Sequence, residues 1–126
     1  EKSLDYCIAQ KIKNIYIIGA TGERDDHNLA NIMTAQQYSD NLNIEIVTNF
    51  FQIFFVNGSK EILEKKHRNL SMISLISDNK ITTSGLEYNL SDQKLNSFSH
   101  GISNRIISDK CLIKSEEKLI LFIEIE

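Results

Sequence analysis

A run of small residues followed by charged ones, residues 17–28, contains the residue types that phosphate chemistry needs. Gly19 and Gly22, which flank Thr21 in this run, let backbone N–H groups approach a ligand closely. A helix that follows would point its positive N-terminal end at an anion. Arg24 supplies a planar guanidinium that pairs with phosphate oxygens. Asp26 supplies an oxygen ligand of the kind that Mg²⁺ binds. The run therefore predicts a site where a phosphate, a magnesium ion and the Arg24 cation meet.

The same residues also have a purely structural interpretation. Asp25 and Asp26 could simply cap a helix, which acidic residues do well. Glycines are common where a strand turns into a helix, with or without a ligand. No Gly-Lys-Ser/Thr sequence follows, so the run is not a P-loop. The chemistry of the residues alone leaves both interpretations open.

The pattern around this run predicts the elements that position it. Apolar residues at helical spacing predict a helix over the first dozen residues, and Asn14–Ile18 reads as a short strand. Helical spacing returns from about Asp26, and residues 44–47 are the next strand candidate. This order of helix, strand, glycine-rich loop, helix and strand predicts an α/β layer with parallel strands.

After residue 49 the pattern changes to short β-rich segments. Residues 50–56 end at Asn57-Gly58, a strong turn signal. Turn-prone residues, among them 115–117, separate the later strand candidates, which are 61–64, 70–76, 81–83, 86–90, 111–114 and 119–125. Short strands at this spacing predict an antiparallel sandwich or barrel. We therefore expect the C-terminal part of an α/β domain over residues 1–49 and a β domain over residues 50–126.

Composition excludes several classes of function. The formal net charge is −3 and no basic stripe is present, so neither a nucleic acid nor an anionic membrane is an expected partner. The longest apolar runs are far too short to span a membrane. Cys7 and Cys111 have no metal-ligand spacing, which favours free thiols in a reducing compartment and hence the cytoplasm. Because the first residue is Glu1 and not Met, we expect a fragment of a longer protein or a processed chain.

Three motifs, in order along the chain, resemble those of the thiamin pyrophosphokinases. The first is the glycine-rich run, whose matching residues are Gly19, Ala20, Thr21, Gly22, Arg24, Asp26, His27 and Asn31. The second, residues 83–90, is similar to a Gly-Leu-Lys-Trp/Tyr-x-Leu strand, and the third, residues 101–104, is similar to a Ser-Asn turn. Each motif alone is weak, but three in order across an α/β-to-β change are specific. The opening residues 1–4 also resemble the end of an acidic segment of the family.

The resemblance implies a Rossmann-like α/β domain joined to an antiparallel β-sandwich, working as a homodimer. It implies that thiamin and ATP are substrates, that Mg²⁺ is the cofactor and that the products are thiamin diphosphate and AMP. By this resemblance, phosphate would be bound by Gly19, Thr21, Gly22 and Arg24. Asp26 and Arg24 would be the catalytic residues, and Asp26 would also be the metal ligand. Thiamin would be bound by Ser103, Asn104 and Tyr88. The family's upstream metal carboxylates precede Glu1, so this chain alone is expected to have little activity.

Structural roles remain possible for each of these residues. Tyr88 could be a packing residue, and Ser103 and Asn104 could merely build their turn. His27 and Asn31 are expected to hold the loop, and His100 is a candidate only for the rim of a site. The alternative function is a non-catalytic β module that binds a small ligand, and a weaker one is a kinase of a different small alcohol.

Overall fold

Two parallel strands with a helix between them organise the first part of the chain. The computed structural model describes all 126 residues and divides into two compact units, Glu1–Phe55 and Val56–Glu126. The elements of the first unit, in chain order, are α1 (Lys2–Ala9), β1 (Asn14–Ile18), α2 (Asp25–Tyr38), β2 (Asn43–Val47) and the start of β3 (Phe51–Leu63). Strand β2 pairs in parallel with β1 and antiparallel with β3. The predicted order of elements up to residue 47 is confirmed.

The first unit is held together by one buried face of β2 and β3. Ile44, Ile46 and Ile53 are almost fully buried, because alternate side chains of a strand point to the same face. Between the helices, the Tyr38 hydroxyl donates to Asp5 Oδ1 at 2.6 Å. That hydrogen bond raises the pKa of Tyr38 to about 12, because it stabilises the protonated phenol.

The second unit is built around a long strand, β8. Besides the end of β3, its strands are β4 (Asn69–Ile73), β5 (Lys80–Ser84), β6 (Gln93–Lys94), β7 (Asn104–Arg105) and β8 (Lys110–Glu124). Residues 112–115 of β8 pair with β5, residues 120–123 pair with β4, and β3 is also a neighbour of β8. The pairs β4–β7, β4–β8, β5–β6 and β5–β8 are all antiparallel. The protein is thus mostly β-sheet with two helices, and no helix is long and apolar enough to cross a membrane.

The core of the second unit is apolar apart from a small group of buried polar side chains. Its most deeply buried large residues are Leu70, Met72, Ile81, Leu86, Ile106, Ile113, Leu119, Leu121 and Ile123. The most buried polar side chain is Asn79, which is 1% exposed. Its Oδ1 accepts from Ser115 Oγ and from the Glu117 N–H, and its Nδ2 donates to Glu117 O. Burying an amide is tolerated because these bonds satisfy it.

The predicted turn at Asn57-Gly58 is wrong, because β3 runs straight through it. A tight hairpin turn of this sequence needs positive φ at both residues, and only Gly58 has it, at 95°. Strand β3 also pairs with two other strands: residues 52–54 pair with β2, and β8 is its other neighbour. Because β3 pairs with these strands, it does not fold back on itself as a hairpin.

The predicted turn at residues 115–117 is also wrong. Strand β8 is continuous from Lys110 to Glu124, and it changes partner between Ser115 and Ile120. The buried Asn79 amide bonds Ser115 and Glu117 where the strand passes from β5 to β4. A side chain 36 positions away along the chain therefore satisfies polar groups that a turn would otherwise satisfy.

The predicted strand over residues 86–90 does not form. Only Leu86 makes a bridge, to Ile106, and the residues after it are irregular. Their backbone groups bond to amide side chains instead: the Leu86 N–H donates to Asn89 Oδ1 and the Tyr88 N–H to Asn104 Oδ1. The boundary between the two compact units falls between Phe55 and Val56. The division of the chain at residue 49 into a catalytic domain and a thiamin-binding domain stays a prediction.

Candidate functional site

The glycine-rich loop between β1 and α2 is held by two asparagines of the helix that follows it. Asn28 forms a pair of bonds with Gly22: its Oδ1 accepts from the Gly22 N–H at 2.7 Å and its Nδ2 donates to Gly22 O at 2.8 Å. Asn31 Nδ2 donates to Ala20 O at 2.6 Å. The expectation that Asn31 holds the loop agrees with this bond. Asn28 was not identified from the sequence, although an asparagine in the first turn of a helix is a residue that commonly bonds to a preceding loop.

Arg24 and Asp26 are bonded to each other. Arg24 Nε donates to Asp26 Oδ1 at 3.0 Å, and its Nη2 donates to Oδ2 at 2.6 Å. This pairing lowers the pKa of the Asp26 carboxyl below its ordinary value, with help from the His27 N–H, and raises the pKa of Arg24. Both side chains are about two-thirds exposed, and exposed ion pairs are weak. A phosphate could therefore compete for Arg24.

The loop does not form a magnesium site from its own residues. Asp26 is a single carboxylate, and both of its oxygens already accept from Arg24. No group of three or more histidine, cysteine, aspartate or glutamate side chains in the chain is placed to hold a metal ion. Mg²⁺ usually keeps several waters and takes one or two carboxylates plus substrate phosphates. The loop could contribute one ligand, provided that Arg24 releases it.

A cavity of about 310 Å³ lies wholly within the second unit. This volume is at the lower end of the range of small-molecule sites, roughly 300–1,000 Å³. Its lining mixes apolar and amide side chains and consists of Met72, Tyr88, Asn89, Leu90, Gln93, Leu95, His100, Gly101, Ile102 and Asn104. Two of the three predicted thiamin-binding residues, Tyr88 and Asn104, are thus brought together.

Asn104 holds the backbone that carries Tyr88. Its Oδ1 accepts from the N–H groups of Tyr88, at 3.1 Å, and Arg105, at 2.8 Å, while its Nδ2 donates to Tyr88 O at 2.7 Å. Asn104 is 7% exposed, whereas Tyr88 is 68% exposed. The buried amide therefore fixes the position of an aromatic ring that is open to a ligand.

Ser103 does not line the cavity. It lies in the turn before β7 with a φ of 59°, and its N–H donates to Ser71 Oγ at 3.0 Å. The neighbouring Gly101 is buried where a Cβ would overlap Met72 O and press on the Leu95 side chain. Gly101 thus has a steric reason to be glycine, because its backbone packs closely against β4.

The sequence-predicted residues fall into two groups that lie in different units. Gly19, Thr21, Gly22, Arg24 and Asp26 belong to the first unit, and Tyr88, Ser103 and Asn104 belong to the second. Gln93 and Asn89 of the cavity were not identified from the sequence, since isolated amides in a polar stretch carry no pattern. His100 was expected only at a rim, and it does line the cavity.

The part of the chain that contains this cavity matches a known protein family. Residues 59–120 match the family model described as thiamin pyrophosphokinase, vitamin B1 binding domain. The predicted resemblance to the thiamin pyrophosphokinases is confirmed. The match lies within the second unit, and all ten residues that line the cavity fall within the matched range.

Solved thiamin pyrophosphokinases have the same fold over this chain. The Bacillus subtilis thiamine pyrophosphokinase is 25% identical with a TM-score of 0.83, and the match covers 99% of this chain and 62% of that one. The Geobacillus thermodenitrificans thiamin pyrophosphokinase is 26% identical with a TM-score of 0.80, and the match covers 98% of this chain and 59% of that one. The Candida albicans enzyme, at 20% identity and a TM-score of 0.75, shares the fold. No curated protein matches this chain. The chain therefore spans about 60% of the length of the first two structures.

Proposed function

We propose that this chain is the thiamin-binding part of a thiamin pyrophosphokinase, which transfers pyrophosphate from ATP to the hydroxyl of thiamin and releases AMP. In this proposal the first unit is the C-terminal part of a Rossmann-like α/β domain, and the second is the β-sandwich that binds thiamin. The observation that carries the proposal is the coincidence of the matched vitamin B1 binding domain with a cavity that presents the exposed ring of Tyr88.

In the second unit, the residues of the cavity would bind and orient thiamin. The flat Tyr88 ring offers a stacking face for an aromatic ligand, and Asn104 keeps that ring in place through its bonds to the Tyr88 backbone. Holding a substrate in a reactive geometry is a large part of catalysis of phosphoryl transfer. Ser103 would act through the turn that carries Asn104, because its own N–H is bonded to Ser71.

In the first unit, the loop would bind phosphate groups of ATP. Gly19, Thr21 and Gly22 place backbone next to the start of α2, whose N-terminal end attracts anions. The N–H of Gly22 already donates to Asn28, so phosphate recognition would depend on Arg24 and on the other N–H groups. Arg24 would move from Asp26 to a phosphate oxygen, which leaves the Asp26 carboxylate free to orient the hydroxyl or to bind a metal.

ATP and Mg²⁺ belong to this proposal as the co-substrate and the metal of the complete enzyme, and a homodimer in the cytoplasm is its proposed state. Asp26 alone does not make a metal site in this chain. Mg²⁺ bound with ATP would supply charge neutralisation for the transferred phosphates.

The proposal is tested by calorimetry and by an activity assay. Thiamin titrated into the 126-residue chain should bind, and Tyr88→Ala should weaken that binding while Tyr16→Ala, an exposed tyrosine of the first unit, should not. The protein in its natural full length should release AMP from ATP only when thiamin is present. Thiamin binding without thiamin-dependent AMP release would favour the non-catalytic ligand-binding module. An absence of thiamin binding would contradict the proposal.

A further inference from the structure

Asn57 differs from every other asparagine of the chain in the residue that follows it. It is followed by Gly58, whereas Asn96 is followed by a serine and all the others by bulky aliphatic, aromatic or basic side chains. The next residue decides how closely its backbone nitrogen can approach the asparagine side chain, because a glycine has no Cβ in the way. Asparagine is among the thermally labile residues, and Asn57 is the one with the least obstructed neighbour.

The surroundings of Asn57 leave its side chain accessible. Asn57, Gly58 and Ser59 are exposed to solvent, although they lie within β3. No hydrogen bond holds the Asn57 amide, whereas the amide of Asn79 is bonded to Ser115 and Glu117. Water and hydroxide can therefore reach the Asn57 side chain, and the side chain is free to rotate.

The backbone at Gly58 is open and irregular. Its φ of 95° lies in a region that other residues rarely adopt, and a glycine with positive φ inside a strand is typical of a bulge, where the ladder is locally disrupted. No heavy atom lies within 4 Å of the place that a Cβ on Gly58 would take. The conformation thus favours glycine after Asn57, and the open space leaves room for the Asn57 side chain to turn toward the Gly58 nitrogen.

We propose that Asn57 is a site of spontaneous deamidation through a cyclic imide. The Gly58 backbone nitrogen gives its proton to hydroxide and attacks Asn57 Cγ. A bond from this nitrogen to Cγ forms, and the bond from Cγ to Nδ2 breaks, so that ammonia leaves with a proton from water. Water then opens the ring. Attack of water at Cγ yields aspartate, whereas attack at the Asn57 backbone carbonyl yields isoaspartate, in which the main chain runs through the side-chain carbon atoms.

Both products change the protein. Each adds a negative charge to a chain whose formal net charge is already −3. Isoaspartate also inserts a methylene group into the main chain of β3, between residues 52–54, which pair with β2, and Glu61, whose carboxylate pairs with Lys110 Nζ at 3.3 Å. The extra atoms displace the residues that follow from their partners, because strand pairing depends on register. The isoaspartate form should therefore unfold at a lower urea concentration than the unmodified protein.

Ageing the intact chain at physiological temperature and mildly alkaline pH tests the proposal, because hydroxide drives the first step. Peptide mass spectrometry identifies each converted asparagine by the mass difference between an amide and an acid, and an isoaspartyl methyltransferase labels isoaspartate. Asn57 should convert more than about tenfold faster than Asn49 or Asn96, a difference in activation free energy of about 1.4 kcal/mol. Asn49 is an exposed internal control, because the N–H of Phe50 after it donates to Thr48 Oγ1 at 3.1 Å.

Two substitutions separate the site from general ageing. Asn57→Gln should abolish methyltransferase labelling at residue 57, because the longer side chain closes a larger ring that forms more slowly. Asn96→Gln makes the same change at the other asparagine with a small neighbour, and it should leave conversion of Asn57 unchanged. Circular dichroism before ageing checks that both variants fold. On ageing, the urea midpoint of the unsubstituted chain should fall, and that of Asn57→Gln should stay constant.

The outcomes decide the proposal without reference to thiamin, so it stands or fails separately from the proposed function. Conversion of Asn57 to both acids, with the methyltransferase label on residue 57, would support it. Conversion of Asn57 no faster than that of Asn49 would overturn it. Conversion only in a parallel sample unfolded by urea would also overturn it, because β3 would then protect the site. Aspartate without any isoaspartate would contradict the cyclic imide, since only ring opening transfers the main chain to the side-chain carbon atoms.

Discussion

Replacing Asn104 by alanine tests how the binding cavity is built. The change removes three hydrogen bonds: those from the N–H groups of Tyr88 and Arg105, and the one to Tyr88 O. At about 1 kcal/mol for each bond lost, the free energy of unfolding should fall by about 3 kcal/mol. Since stabilities of domains are commonly about 5–15 kcal/mol, the variant should still fold, with its midpoint of thermal unfolding lowered by roughly 10 °C.

Asn69→Ala provides the matched control. Asn69 is also an asparagine at a strand, but it is exposed and its amide bonds to the Glu124 side chain at 2.7 Å. Its removal should change the free energy of unfolding by less than about 1 kcal/mol. Asn104→Asp keeps both accepted bonds but sets a carboxylate oxygen against Tyr88 O in a buried position, so it should also destabilise the protein more than Asn69→Ala.

Urea denaturation followed by far-ultraviolet circular dichroism measures these differences, and thiamin titration at low urea measures their effect on the cavity. Asn104→Ala should weaken thiamin binding even where the protein is fully folded, because the Tyr88 backbone is no longer fixed. An Asn104→Ala variant that is as stable as Asn69→Ala would refute the role assigned to the Asn104 hydrogen bonds.

Three further outcomes are expected. Burial raises the pKa of the Cys111 thiol to about 11, so a thiol reagent at pH 8 should label Cys7 and spare Cys111 until the protein is unfolded; equal labelling of both in the native state would contradict this. In a spectrophotometric alkaline titration, one tyrosine should ionise near pH 12, and Asp5→Asn should return Tyr38 toward its ordinary pKa of 10; the bond stabilises the folded state below pH 10 and is lost as the pH rises through about 12. Gly101→Ala should lower the free energy of unfolding by about 1–3 kcal/mol, because its Cβ would overlap a carbonyl of β4; an unchanged denaturation midpoint would show that the turn can move aside.

Local patterns predicted the first unit well because local interactions decide it. The strand Asn14–Ile18, the glycine-rich loop and the helix that follows are each visible in consecutive residues. The bonds of Asn28 and Asn31 to that loop are also local. Both Arg24 and Asp26 were identified from the sequence, each as a ligand-binding residue. Their hydrogen bonds to each other were not predicted, because the sequence does not show whether two opposite charges bind a ligand or pair with one another.

Long-range contacts explain where the sequence failed in the second unit. A turn at Asn57-Gly58 is the normal consequence of that dipeptide, and it is overridden because β3 pairs with two other strands, β2 and β8. A turn at Ser115 is overridden by the buried amide of Asn79. The cavity likewise depends on amides that meet only after folding, so Tyr88 and Asn104 could be named from a motif, whereas Gln93 could not.

The most direct test of thiamin binding in the second unit is a thiamin titration of the ¹⁵N-labelled chain followed by two-dimensional nuclear magnetic resonance. The amide signals of Tyr88, Gln93 and Gly101, which line the cavity, should shift together and saturate with a single dissociation constant. The signals of α2, in the first unit, should change least. Shifts confined to the first unit, or none at millimolar thiamin, would contradict the assignment of this cavity to thiamin.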